Sequence, residues 1–539
     1  MAETPTSPAA EQAPWPGSHE MPRWSLGQLG EAPKFELRKL WQYLGPGLLM
    51  GGAAIGGGEW LTGPQVTARF GGSLLWLATL SIIGQVIYNI EISRYALYTG
   101  EPIFTGKFRT QPGPKVWVWV YLLLDVGTAF PYLAASAAIP LLMVCKGGVV
   151  PDVSLIDSFI KDNGTILRVL SLLIFLAALL PMIVGGKIYN SLKAVMTFKI
   201  VTVMGFLLVL AFMFSKPETW VEIFSGFFKF GNVPTGNGDE VLNVFAAVAN
   251  GEKLPSLDIK TMGLLSALVA ISGQGGLSNT PISNYTRDQG WGMGSQVGAI
   301  PSLVGGNEVT LSHEGTVFIP DEKSLPRWRS WLGHVIRDQV LVWGPACFFG
   351  LALPSMLSVQ FLERGTDLTK SDWLGPIMTS NGVGEAVGKA MGTSMGSLFQ
   401  FLTLFCGFIV LAPSMASTVD GFVRRWVDVF WTSSKKLREQ DASKIRKLYF
   451  TVLGCYAVVA LIMLGLIPKP SALLAIAGFV YNFALGFSCW HVIRINTKLL
   501  PPELRPGWGP RIGLLLTGIF FWTVGILGAI STISKLMKG

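Results

Sequence analysis

Runs of about twenty mostly apolar residues recur along this chain, and no other feature restricts its fold so strongly. We read such spans near 43–66, 73–98, 115–145, 166–185, 190–214, 260–285, 331–358, 390–420, 448–468, 471–494 and 511–534, eleven in all. A bilayer offers the backbone no hydrogen-bond partner, so the expectation is an all-α polytopic membrane protein of about 11 transmembrane helices. Composition agrees: 14% of the 539 residues are charged and the mean hydropathy is +0.47, whereas soluble domains carry about 25% charged residues. The net charge of +9 does not point to nucleic acid, because the basic residues lie between the apolar runs. There they act as topology determinants.

Arg23, Lys34, Arg38 and Lys39 precede the first span, and Lys107, Arg109 and Lys115 follow the second. Arg424, Arg425, Lys435, Lys436, Arg438, Lys444, Arg446 and Lys447 follow the eighth, and Arg494, Lys498, Arg505 and Arg511 the tenth. All fall on one side if the N-terminus is cytoplasmic and the C-terminus extracytoplasmic, in a bacterial-type inner or plasma membrane. The five cysteines stand singly and suggest neither a disulfide framework nor a zinc site. Residues 1–42 carry no signal-peptide pattern and read as a flexible cytoplasmic tail. No cofactor and no nucleotide-binding motif is read, so any energy source is an ion gradient.

Two spans carry interruptions. In the first, Gly56, Gly57 and Gly58 stand in a row before Glu59 and Trp60. Glycine costs roughly 1 kcal/mol relative to alanine inside a helix, so three together open it. A carboxylate beside opened backbone at membrane depth is costly and marks a functional candidate. In the sixth span, Gly273, Gln274, Gly275 and Gly276 lead through Ser278, Asn279 and Thr280 to Pro281. Matching interruptions in two halves point to inverted repeats with a binding site at their interface. The expected organisation is a first five-helix repeat over 43–214, an extracellular loop over 215–259, and a second repeat over 260–494. The second repeat carries cytoplasmic loops 286–330 and 421–447, and an additional eleventh helix lies in 495–539.

Other intramembrane polar groups have two readings. Glu91 and Arg94 share a helix face at three-residue spacing, as a structural ion pair or a coupling site. Asp125 stands unpartnered in an apolar run, and either carries a proton or has a structural role. Lys199 is expected to snorkel towards the cytoplasmic side. Arg337 and Asp338 form a gating or structural pair. Ser414, Ser417 and Thr418 either coordinate sodium or bond to their own helix. Tyr481 and Asn482 are equally open. None of the four histidines lies near either interruption.

Several stretches resemble a known family. GPGLL from Gly45, then Thr62, Gln65, Phe70–Gly71 and Leu75–Trp76, are similar to the first span of the Nramp (natural resistance-associated macrophage protein) divalent-metal transporters. RYALYTGE (Arg94–Glu101) resembles the end of that family's second span, and GGKIYNSLKAVM (Gly185–Met196) its junction of spans four and five. The resemblance implies a LeuT-like fold with two inverted five-helix repeats, alternating access, and a substrate held between broken helices 1 and 6. The site departs from it. The family's Asp-Pro-Gly-Asn motif falls on Gly56, Gly57, Gly58 and Glu59, and its Met-Pro-His signature is missing from SGQGGLSNTPISNY.

With one carboxylate and no thioether or imidazole, a transition-metal site of the family's type is not expected. The candidate substrate-binding residues are Gly56, Gly57, Gly58, Glu59, Trp60, Gln274, Gly275 and Asn279, with Asn89 and Trp291 as outliers. Carboxylate, amides and an indole wall suit a small neutral polar solute such as a sugar or polyol, the leading reading. The alternative is a hard divalent cation, hydrated magnesium or manganese, at Glu59; a zwitterionic amino acid is third. Asp125, Glu91, Arg94, Ser417 and Thr418 are the coupling or ion-pair candidates, with H+ or Na+ as the ion and passive flux the remaining option. An intramembrane enzyme lacks a nucleophile–base or metal cluster in the spans, and a channel lacks rings of charge. A transport-derived sensor would keep the pocket without flux.

Overall fold

Glycines and prolines set the helix ends here. The computed structural model describes residues 13–34, 44–147, 155–184, 187–236, 240–254, 256–300, 311–366, 368, 373–466 and 470–537. Arg38, Lys39, Gly185, Gly186 and Lys469 lie outside the described residues.

Pro46 opens α1 (Pro46–Ala54) at the position where its missing N–H costs nothing. Asp338 accepts the amides of Gly45 and Gly47 at 3.1 and 2.6 Å, so a carboxylate caps this helix start. The first span then breaks at Ile55 and resumes as a π turn (Gly58–Thr62) and α2 (Gly63–Phe70). α3 (Trp76–Thr99) leaves it at a bend of 95°. A short α4 (Ile103–Arg109) leads to the third span, which is also interrupted. α5 (Pro114–Asp125) gives way to a 3-10 turn (Val126–Ala129), and α6 (Tyr132–Cys145) starts after Pro131. α7 (Gly164–Ala178) and α8 (Ile188–Phe214) complete the first half.

The second half begins with α9 (Ile259–Ile271) and α10 (Pro281–Asp288), the two parts of the sixth span. α11 (Ser324–Asp338) passes through a π turn (Gln339–Trp343) into α12 (Gly344–Phe361). α13 (Leu374–Met391) and α14 (Thr393–Ser433) pack as a hairpin, followed by α15 (Ile445–Leu466), α16 (Pro470–Lys498) and α17 (Trp508–Leu536). Helices cover all eleven expected spans. Among the described residues seven are individually long and apolar enough to cross a membrane, or eight with the bent pair counted.

Four expectations change. α13 had no counterpart in the sequence reading. Its glycine-rich, weakly apolar stretch packs against α12 and α14, not lipid alone. The loop expected over 421–447 is helix as far as Ser433: Arg424 and Arg425 are buried against Asp288 and Asp125 of other spans and are not loop charges. Lys107 and Arg109 are likewise fully buried on α4. The tail expected to be loose is packed over residues 13–34. Ser25–Leu26 pair in parallel with Thr316–Val317, and Met21, Trp24 and Leu29 are buried.

Candidate functional site

The two interruptions face each other. Ile55 turns out of α1 with ψ 89°, and Ser272 leaves α9 with ψ 93°. The second break needs its glycines for conformation: Gly273, Gly275 and Gly276 have φ of 106°, 60° and 56°, the left-handed region that side chains disfavour. The glycines of the first break act otherwise. Gly56 and Gly57 are not at positive φ, and a Cβ on Gly57 would meet Leu133, Leu411 and Tyr132 at ordinary contact distance, 3.6–3.7 Å. There, low helix propensity frees the backbone.

Glu59 joins the breaks. Its Oε2 accepts the Gly56 amide at 2.9 Å and its Oε1 the Gly273 amide at 3.3 Å, while the residue is 1% exposed. Gln274 returns a bond, its Nε2 donating to the Met50 carbonyl at 3.2 Å. The second break is held from behind by Gln85 of α3. Its Oε1 accepts from the Gln274 and Gly275 amides and from Asn279 Nδ2 at 3.1, 3.2 and 2.7 Å, and its Nε2 donates to the Ser272 carbonyl.

A polar cavity of about 40 Å³ lies between the breaks. Gly56, Gly57, Glu59, Gly273 and Gln274 line it together with Tyr132, Ser278, Ser414, Thr418 and Tyr481. A buried water needs roughly 10–15 Å³ by this measure, so the space fits a few waters or one small ion. Lys199 of α8 comes close to it. Fully buried, it donates from Nζ to Ser414 Oγ at 2.5 Å and interacts electrostatically with Glu59. Snorkelling is therefore not what Lys199 does: packing closes its route to water, and Ser414 and Glu59 supply partners inside.

Of the sequence candidates, Gly56, Gly57, Glu59 and Gln274 line the cavity. Gly58 belongs to the adjoining π turn. Gly275 and Asn279 sit behind it on Gln85. Trp60 faces away: its indole lies against Gly407, where a Cβ would fall 2.7 Å from Nε1. Trp291 packs near Gly45 and Trp331, and buried Asn89 lies outside the lining. The proposed indole wall is thus replaced by two tyrosine rings. Tyr132 follows a third-span break whose only sequence signals, Gly127 and Pro131, lie inside one continuous apolar run. Gln85 was one polar residue among several on α3, with no local signal of its partners.

The coupling candidates separate. Glu91 and Arg94 form their i,i+3 pair at 2.9 Å, with Asn496 also on Glu91 Oε2. Asp125 is not unpartnered: Arg425 donates to both its oxygens at 2.8 and 2.6 Å, and Trp426 Nε1 adds a bond at 2.8 Å. Thr418 lines the cavity and bonds to the Ser414 carbonyl; Ser417 is buried beside it, outside the lining. Beyond α10 lies a denser network missed from sequence. Arg287 pairs with Asp288 and Asp428 at 2.8 and 2.9 Å, and Arg424 with Asp420 at 3.0 Å and also with Asp288. Tyr285 and Tyr449 donate to Asp420. Nothing in one stretch of sequence shows that Arg287 and Asp288 of α10 meet Asp428 and Arg424 of α14. Among the described residues no group of three or more His, Cys, Asp or Glu is placed to hold a metal.

No family model matches the chain. Natural resistance-associated macrophage protein 1 of Cervus elaphus is 28% identical over 167 residues, 29% of this chain, and the match spans 29% of that relative's length. The Bos taurus protein matches to the same extent. A crystal structure of the Eremococcus coleocola manganese transporter, in complex with an aromatic bis-isothiourea substituted compound, superposes with a TM-score of 0.59. It is 12% identical and covers 95% of this chain and 92% of that one. The chain thus shows a distant similarity to Nramp proteins over part of its length. The similarity agrees with the resemblance read from the sequence, and the fold is the expected LeuT-like, all-helical membrane fold.

Proposed function

We propose that this chain is a secondary transporter, not an enzyme, working by alternating access with its substrate between the two breaks and in contact with Glu59. The observation that carries this reading is the small polar cavity formed where two interrupted helices meet through one carboxylate. We place the N-terminus in the cytoplasm and the C-terminus outside, on the strength of the basic residues that stay in loops.

For the substrate, a hard divalent cation that keeps much of its water now has the better support. The relatives lean that way: the superposed structure is a manganese transporter. The cavity is of ion size, and the indole wall that favoured a sugar is turned away. Magnesium-type sites use one or two carboxylates, carbonyl oxygens and waters, a set that Glu59, Gln274 and the opened backbone can offer. A small neutral polyol is the second reading. It is favoured by Lys199, whose ammonium offsets the Glu59 charge, and by the Tyr132 and Tyr481 rings.

The test is uptake into liposomes containing purified protein, with entrapped indicators for Mn2+ and Mg2+ and, separately, radiolabelled glucose and mannitol. Cation influx that falls in Glu59→Gln supports the first reading. Saturable sugar or polyol influx that falls in Tyr132→Ala supports the second. Absence of both influx and exchange for all four probes removes the transporter reading for these substrate classes.

A further inference from the structure

The cavity has a charged neighbour that the substrate readings do not use. Ser414 Oγ lies 3.3 Å from the Ala53 carbonyl, 3.4 Å from the Ile55 carbonyl and 3.1 Å from that of Val410. The first two belong to the end of α1, where interruption leaves carbonyls without helical partners. A hydroxyl and freed carbonyls at the negative end of a half-helix are the groups that hold a sodium ion in broken-helix transporters. Here the cation at Ser414 is the chain's own: Lys199 reaches across from α8, which packs on both α1 and α14. From the elements around it, Lys199 faces Glu59 on the first break and Cys406 on α14. Cys347 on α12 faces Glu59 in turn. Glu59 is therefore the only carboxylate among these neighbours, and Lys199 is the basic group that interacts with it.

We propose that the Lys199 ammonium is a built-in cation at the carbonyl end of α1, standing where a coupling sodium ion would bind, so that the cycle runs without sodium. The last clause rests on the transporter reading above; the site itself does not. Sodium at the interface of spans one and eight, one of the coupling options raised by Ser417 and Thr418, is replaced by a tethered charge. A side chain tethered by four methylenes cannot diffuse away as a sodium ion does, so it stays beside Glu59 wherever Ser414 remains near α1.

The test needs no transport substrate. Thermal unfolding of purified protein is compared in NaCl and in choline chloride at equal ionic strength. The intact protein shows no sodium-specific shift. Lys199→Ala, which vacates a cation-sized space between a hydroxyl and two carbonyls, gains a sodium-specific rise in its midpoint on the order of 1–2 °C. Lys199→Met keeps the volume and gains nothing, and the double variant Lys199→Ala/Ser414→Ala loses the gain. If Lys199→Ala yields no folded protein in either salt, Lys199→Ser is measured in its place. A sodium-specific shift in the intact protein, or none in the folded small-residue variant, overturns the proposal. For any probe that the liposomes take up, replacing sodium with choline leaves the rate unchanged. A sodium requirement there defeats the sodium-free cycle while leaving the transporter reading intact.

Discussion

Glu59 and Gly273 are 214 residues apart, yet the Glu59 carboxylate accepts the Gly273 amide at 3.3 Å while holding the Gly56 amide at 2.9 Å. One side chain thus fastens freed backbone amides of both interruptions, each just beyond the end of a half-helix. Glu59→Gln keeps the shape but turns one accepting oxygen into a donor facing an amide N–H. A hydrogen bond to a charged group is worth about 1.5–3 kcal/mol, so uptake should fall roughly 10- to 100-fold while the protein remains folded. Liposome uptake with size-exclusion profiles checks both; unaltered flux removes Glu59 from the mechanism.

The two glycine breaks should respond oppositely to a methyl group. Gly275→Ala places a Cβ 1.8 Å from the Ala270 carbonyl at a φ of 60°, and costs about 2 kcal/mol or more. Gly57→Ala meets only ordinary contacts and should fold with a midpoint within a few degrees of the parent. Detergent-solubilised thermal unfolding ranks them, and equal losses would contradict the division of roles.

These contrasts show what the sequence could carry. Length and apolarity of the runs, and the clusters around Gly56 and Gly275, were local properties, so the spans and both principal breaks were legible. Partners were not. Asp125 looked alone because Arg425 is 300 residues away, and Gln85 gave no sign that it would gather three donors of the second break. Trp60 was assigned to the pocket by adjacency to Glu59, but the π turn beginning at Gly58 sends the indole towards Gly407. Basic residues near span ends were read as loop charges, since sequence does not distinguish an exposed arginine from one buried against an acid.

The Asp125–Arg425 pair is fully buried and doubly bonded, so the cost of breaking it should depend on what is left behind. Asp125→Asn or Arg425→Met alone leaves an uncompensated charge and should destabilise by about 3–5 kcal/mol. The double variant should recover a large share. A double-mutant cycle on thermal or denaturant unfolding checks this, and additive losses would mean the pair is not coupled.

Trp60→Ala should now act on stability more than on recognition. The indole is 5% exposed and fills space against α14, and removing a buried tryptophan typically costs about 3–5 kcal/mol. The variant should show a lowered unfolding midpoint with the apparent substrate affinity of the remaining folded protein little changed. A selective loss of sugar or polyol affinity at unchanged stability would restore the indole to the pocket.

The packed N-terminal segment makes a last testable case. Arg109 of α4 lies under the Trp24 ring at 4.9 Å and donates to the Pro22 carbonyl at 2.6 Å. Farther along, Trp331 and Arg327 of α11 donate to the carbonyls of Gly30 and Leu29, both at 3.0 Å. One strand of tail is thus anchored to elements of both halves, α4 and α11, which alternating access would displace. Trp24→Ala removes a side chain that is 2% exposed and should loosen the strap without unfolding the helices. Limited proteolysis should cut the variant within residues 13–34 at least several times faster than the parent, with an unchanged helical circular-dichroism signal. Equal cleavage rates would mean that the carbonyl bonds alone hold the segment, and the Gly30 and Leu29 contacts would then be the ones to disrupt.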